Sequence, residues 1–163
     1  MPKQKKPPKN INQRLLISNR RAYYSYDIME TIEAGVMLTG TEIKSLRVGR
    51  MNIQHSFAKV LLGEVWLLNS HIAPYDQGNV HNHDPIRQRK LLLHAKQIAY
   101  LSGSIGQRGL TLIPLRVYIK NHVAKVLLGL ARGRKLHDKR RAMIDKEQNI
   151  EISRRIRSGY KMP

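Results

Sequence analysis

The chain has 163 residues, 41% of them hydrophobic, with thirty Lys and Arg against eleven Asp and Glu, no cysteine and a formal net charge of +19. That length suits one modest domain with a single core, and the lack of cysteine excludes a disulfide scaffold, a cysteine nucleophile and every thiolate metal site. No run of about eighteen apolar residues occurs and the opening MPKQKKPPKN has no apolar stretch, so neither a spanning helix nor a signal peptide is expected and the chain reads as cytoplasmic.

The charge is uneven. Residues 1–21 carry a net +7, residues 22–131 carry +5 and residues 132–163 carry +7, which together account for the +19. A field of this sign favours polyanions. A membrane surface is the rival partner, but neither flank has the wide apolar face of an interfacial helix, so nucleic acid is expected.

In chain order, residues 1–19 are lysine-rich with Pro2, Pro7 and Pro8, and read as a flexible basic arm. From Tyr23, YYSYDIMETIEAGVML has the aromatic and apolar content of a strand that bends or bulges at Gly35. TGTEIKSLRVG predicts a short helix from Glu42 to Val48, with Thr41 as its cap and Gly49 as its stop. FAKVLLGEVWLLN predicts a hairpin of Phe57 to Leu62 and Val65 to Asn69, turning through Gly63-Glu64.

After a loop with Pro74 and Gly78, Asp84 followed by Pro85 has the form of a helix start. The spacing of Leu91, Leu92, Ala95, Ile98, Ala99 and Leu101 predicts a helix to about Leu101, ended by GSIGQRG. LTLIPLRVYIKNHVAKVLLGLA predicts a second hairpin turning near Asn121-His122, with Pro114 at an edge or a bulge. Strands separated by short helices suit a mainly β fold, a small antiparallel OB-like β-barrel, and a split α+β sheet layer fits nearly as well.

From Arg132 the chain is strongly basic, and Met143, Ile144, Ile150, Ile152 and Ile156 make only a weak apolar stripe. Such a tail is expected to be disordered when free and helical against a partner; the alternative is a solvated segment that adds only solubility. The expected organisation is a basic arm over 1–19, a body over 20–131 and a tail over 132–163.

The stretch NVHNHDPIRQRKLLLH raises the question of a metal-dependent nuclease, since His81, His83 and Asp84 are an imidazole and carboxylate set. Asp84 is better used as a helix cap, His94 lies ten residues beyond it, and the segment from Gly63 to Lys96 holds only Glu64, Asp76 and Asp84 as acids. There is no G-x-S-x-G, phosphate loop or dinucleotide-binding glycine pattern, and His137 and Asp138 sit in a tail without a preorganised pocket. No catalytic residue, metal or cofactor is expected.

EAGVMLTGTEIKSLRVGRMNI, SFAKV, EVWLLNSHIAPY, GNVHNHDPIRQRKLLLH, TLIPLRVYIKN and KVLLGLARGRKLHDKR resemble, in order and spacing, the SmpB family of tmRNA-binding proteins. The resemblance covers about Asn19 to Arg141. It implies a body that binds the tRNA-like domain of tmRNA around its D-arm and elbow and brings alanyl-tmRNA to a stalled ribosome with GTP-bound elongation factor Tu. It implies a tail that enters the empty A site and mRNA channel and becomes helical there. By the same resemblance Tyr26, Glu33, Leu92, the position of His94, and Lys125 face tmRNA, although the helical spacing of Leu92 is equally that of a core residue.

Arg132, Gly133, Arg134 and Lys135 match the family's basic hinge, and His137, Asp138, Lys139 and Arg140 match its motif for the 16S rRNA decoding centre. His94 stands where Asn or Lys is common in the family, and His55 where an acid is common. Without the resemblance, a generic ribosomal or structured-RNA-binding barrel fits the same composition.

Overall fold

A computed structural model describes residues 13–78, 82–134, 148 and 150–154. In chain order the elements are β1 (Gln13–Ser18), α1 (Arg20–Ser25), β2 (Tyr26–Val36), α2 (Gly40–Arg47), β3 (Met51–Asn52), β4 (Phe57–Leu61) and β5 (Glu64–Leu68). There follow β6 (His71–Ile72), β7 (Arg89–Leu92), α3 (Ala95–Arg108), β8 (Thr111–Lys120) and β9 (Val123–Gly133). Residues 148 and 150–154 are helical and exposed. No helix among the described residues is long and apolar enough to cross a membrane.

Alternation of side chains along the strands closes a barrel. Ile32, Ala34 and Val36 on β2, Val65 and Leu67 on β5, and Ala124, Val126 and Leu128 on β9 are buried, while Glu33, Gly35 and Lys125 between them are not. Successive residues of a strand point to opposite faces, so one face of each strand supplies the core. The antiparallel pairings run β8–β4–β5–β7–β2–β9 and return to β8 through the β8–β9 hairpin, a circuit that leaves the core inside. β4 reaches β8 at Ala58 and Leu112, and β1 pairs with the second half of β8. Leu46 of α2 and Leu101 of α3, both fully buried, join this core, and burying one such side chain stabilises by about 1.5–3 kcal/mol. The OB-like barrel expected from the sequence is the observed fold.

Both hairpins turn through two residues with positive φ, which matches the right-handed twist of the flanking strands. Asn121 and His122 (φ 49° and 64°) place Lys120 opposite Val123, as expected. In the first hairpin the turn is Leu62-Gly63 (φ 49° and 76°), one residue earlier than expected, with Leu61 opposite Glu64.

The helix expected from Asp84 to Leu101 is replaced by a turn, a strand and a later helix. Asp84 Oδ1 accepts from the Ile86 amide at 3.0 Å, which caps a turn instead of a helix. Arg89 and Leu91 then point inward and Lys90 and Leu92 do not, so period two wins and β7 fits between β5 and β2. α3 starts after His94, runs through Gly103 and Gly106, and stops at Gly109 in the left-handed region (φ 60°).

The arm expected through Asn19 is also shorter. Residues 13–18 form β1, and Asn19 is buried: its Oδ1 accepts from the Ala22 amide at 3.0 Å and its Nδ2 donates to the carbonyls of Ile53 (3.0 Å) and Pro114 (3.1 Å). This side chain caps α1, so Tyr23 to Ser25, expected in a strand, are helical. α2 is capped by Thr39 and not Thr41, because Glu42 Oε2 reaches back to the Thr39 amide at 2.7 Å. The bulge of β2 falls between Ile28 and Glu30, while Gly35 pairs regularly with Leu92; Pro114 does lie at a bulge of β8. Finally, β9 continues through Arg132 and Gly133, opposite Asp27 and Tyr26, so the folded body extends past Ala131. The expected start of the tail at Arg132 is too early.

Candidate nucleic-acid interface

The outward residues of the barrel form cross-strand rows. One row is Leu92 on β7, Gly35 on β2, Lys125 on β9 and Tyr118 on β8, the last of them buried. The next is Glu33, Leu127, Arg116 and Ser18 on β2, β9, β8 and β1. Residues paired across antiparallel strands share a face, so these side chains meet on one surface.

Glu33 is the junction of that surface. Its carboxylate accepts the Tyr118 hydroxyl in a short hydrogen bond, pairs with Lys125 Nζ at 3.1 Å and lies 3.7 Å from Lys120 Nζ. The Tyr118 hydrogen bond holds its carboxyl below the usual range against the opposing effect of partial burial, with Lys125 and Lys120 adding to the depression. Burial, and then the bond to that carboxylate, push the Tyr118 phenol well above its ordinary range. Glu33 therefore stays ionised and Tyr118 stays a donor.

Leu92 is 54% exposed, so its place in an apolar spacing does not reflect core packing. Gly35 explains its position: a Cβ there would come within 3.2 Å of Leu92 Cβ, so the glycine lets Leu92 lie over β2. His94, exposed two residues on, is the cap of α3, and its amide donates to Gln97 Oε1 at 3.1 Å.

The structure thus brings Glu33, Leu92 and Lys125 together, with His94 following Leu92 in the chain. Tyr26 belongs elsewhere, seven residues from Glu33 along β2, a separation of roughly 20 Å at the rise of a strand. It faces Gly133 across the strands and lines a cleft of about 470 Å³ with Arg21, His55, Phe57 and Arg134. Arg134 is tied to this end by its amide, which donates to the Ser25 carbonyl at 3.0 Å, and by Asp27 at 3.8 Å. Arg132 is exposed beside them. Lys135, His137, Asp138, Lys139 and Arg140 lie outside the described residues, as does His81.

Tyr118, Lys120 and Arg116 are absent from the expected set. A two-residue turn at Asn121-His122 fixes Tyr118 opposite Lys125, so that neighbour was legible from the hairpin alone. Nothing local marks Arg116.

His83, the histidine that suggested metal chemistry, uses both ring nitrogens on the protein: Nδ1 is 2.9 Å from Thr41 Oγ1 and Nε2 is 3.1 Å from the Ile72 carbonyl. Since a carbonyl only accepts, Nε2 donates to Ile72. The imidazole ties the loop to α2 and β6. Among the described residues no group of three His, Asp or Glu side chains is placed to hold a metal ion.

The chain matches the family model described as SmpB protein over residues 16–158. An SsrA-binding protein of Ligilactobacillus salivarius is 53% identical over 143 residues, covering 88% of this chain and 92% of the relative. An SsrA-binding protein of Carboxydothermus hydrogenoformans is 48% identical over 148 residues, covering 91% and 99%. A solved structure described as "tmRNA-SmpB: a journey to the center of the bacterial ribosome" contains a chain 51% identical to this one, with a TM-score of 0.63, covering 76% of this chain and 87% of the other.

Proposed function

The chain belongs to the SmpB protein family, and from that premise we propose that the outward rows around Glu33 are where its barrel meets RNA. The protein binds tmRNA and delivers it to the ribosome in trans-translation. It works by binding, and no residue is assigned a catalytic step.

The observation that carries the residue-level reading is the ordered set of Leu92, Lys125, Lys120 and Tyr118 about the one carboxylate of Glu33. The lysines suit phosphates, and the exposed Leu92 suits a ribose or base face. In this reading Glu33 orients two lysines and a phenol, and the position of His94 extends the surface beyond β7. Tyr26 contributes from the far end of β2, beside Arg132, Gly133 and Arg134.

The tmRNA arrives aminoacylated, with GTP-bound elongation factor Tu, in the cytoplasm. The basic segment through Lys135 serves as the hinge, His137, Asp138, Lys139 and Arg140 meet the 16S rRNA decoding centre, and the residues beyond enter the empty mRNA channel as a helix. The charge of the C-terminal flank supports a polyanionic partner there.

The test is a fluorescence-anisotropy titration of the full chain and of Lys125→Ala against a tRNA-like tmRNA fragment and an ordinary tRNA, each at two salt concentrations. Preference for the fragment, weakened by Lys125→Ala, is expected; equal binding to both RNAs would leave a generic RNA-binding barrel. Deleting residues 135–163 should spare that preference and abolish tagging on stalled ribosomes. Tagging by the truncated chain at the full-length level would refute the division of labour.

A further inference from the structure

Arg116 lies beside the bulge of β8 and is half-buried, and its Nε is buried with no hydrogen-bond partner among the described residues. A guanidinium is a fork of five donors with no acceptor, so a buried Nε–H left unpaired is unfavourable in the free protein. Its strand partners offer no anion, since Ser18 flanks it on β1 and Leu127 on β9. The carboxylate in the same row, Glu33, is already taken by Tyr118, Lys125 and Lys120. Among the described residues nothing accepts from this Nε, and the half-buried side chain stands on the face that carries Lys125 and Tyr118, one row away.

We infer that Arg116 is a phosphate-binding residue for RNA, which carries the interface from Leu92 across β2 and β9 to β8 and Ser18. This rests on the reading that the outward rows meet RNA. A phosphodiester matches the donor geometry, because its two free oxygens accept parallel N–H bonds from one guanidinium. A lysine at this position would keep the charge and lose the paired geometry.

The experiment compares the full chain with Arg116→Met, Arg116→Lys and Lys125→Ala, measuring affinity for the tRNA-like tmRNA fragment over a salt series, together with the melting temperature of each free protein. Arg116→Met is expected to bind about tenfold more weakly and to lower the salt slope by about one contact. It should melt no lower than the parent, because it removes an unpaired buried donor. Arg116→Lys should keep the parental slope and bind a few-fold more weakly.

If Arg116→Met binds as the parent does while Lys125→Ala is weakened, Arg116 is not a phosphate ligand and the outer face still is an RNA surface. If neither variant is weakened, both readings fall. If Arg116→Met melts lower and binds poorly but keeps the parental salt slope, Arg116 acts only in packing and the inference is overturned.

Discussion

Replacing Glu42 by Gln tests the internal charge network that fixes β7, and with it the position of Leu92. The Glu42 side chain is fully buried, as is that of Arg89. Its oxygens accept from Arg87 Nε at 2.7 Å and Nη2 at 2.5 Å, from Arg89 Nε at 2.9 Å and from the Thr39 amide at 2.7 Å. Arg89 also donates to the Ser70 carbonyl (2.7 Å), Ser70 Oγ (2.8 Å) and the Pro85 carbonyl (3.0 Å), but its paired carboxylate is Glu42. Glutamine keeps the shape, removes the charge and turns an amide donor toward guanidinium donors.

Breaking a buried ion pair by removing one partner costs about 3–5 kcal/mol. Arg87 is partly exposed and can turn to water, so the lower figure applies. A loss of about 3 kcal/mol in a chain of this size lowers the melting temperature by roughly 6–12 °C, while total stabilities of about 5–15 kcal/mol leave the protein folded at room temperature. Circular dichroism on heating measures the shift. Adding Arg89→Met should cost less than the sum of the single changes, because the double variant leaves no unpaired charge on Arg89.

The pH dependence has a definite sign. Burial alone would raise the Glu42 carboxyl, but the Arg87 hydrogen bond, the Thr39 amide and the charges of Arg89 and Arg87 outweigh it and hold the carboxyl below its ordinary value of 4.5. Its contribution is complete above that value and is lost as the pH falls through the depressed native one. The gap between parent and Glu42→Gln should be widest near neutrality and close in acid. A neutral melting temperature within about 2 °C of the parent, against the shift expected from a broken buried pair, would refute this account of the network.

Two further outcomes follow from the outer face. Tyr118→Phe removes the principal cause of the low Glu33 pKa, so the carboxyl should titrate at higher pH by carbon-detected NMR, with tmRNA-fragment affinity down by roughly fivefold for one lost hydrogen bond. An unchanged midpoint would mean that the phenol does not donate to Glu33. Gly35→Ala puts a methyl 3.2 Å from Leu92 Cβ; because Leu92 is exposed and free to move, stability should fall by under about 1 kcal/mol while binding to the fragment weakens, a separation that melting and anisotropy measured on one sample would reveal.

The hairpins and the barrel class were legible because their signals are local, in period-two alternation and two-residue turns. β7 was not, since Leu91, Leu92 and Leu93 form a continuous apolar run that suits helix or strand equally. What decides it is Arg89, buried on a partner 47 residues away in sequence. Asn19 was misread for the same reason, since its side chain spans to Ile53 and Pro114. At the candidate site Glu33, Leu92 and Lys125 came from the family resemblance, and strand register then joined them. Arg116 stayed invisible because the bulge between Pro114 and Arg116 changes which residues face outward, and no local motif announces a missing acceptor.

On the proposed reading of the outer face as an RNA surface, the carboxylate of Glu33 has a physical role. Free lysines lose roughly 2 kcal/mol of side-chain entropy when a ligand orders them. Lys125, already paired with Glu33, and Lys120, held close to it, have part of that ordering in place before RNA arrives. Glu33 subtracts a charge from the long-range attraction and adds preorganisation to the short-range fit. The flanks, each with a net +7 against +5 for the middle, supply attraction that every RNA feels and that salt weakens. On the proposed reading, discrimination between RNAs lies with the rows around Glu33, whose lysine contacts to phosphate also weaken with salt. Raising the salt should depress affinity for a tmRNA fragment and for ordinary tRNA alike, and narrow the ratio between them, because the fragment engages the additional phosphate contacts of these rows.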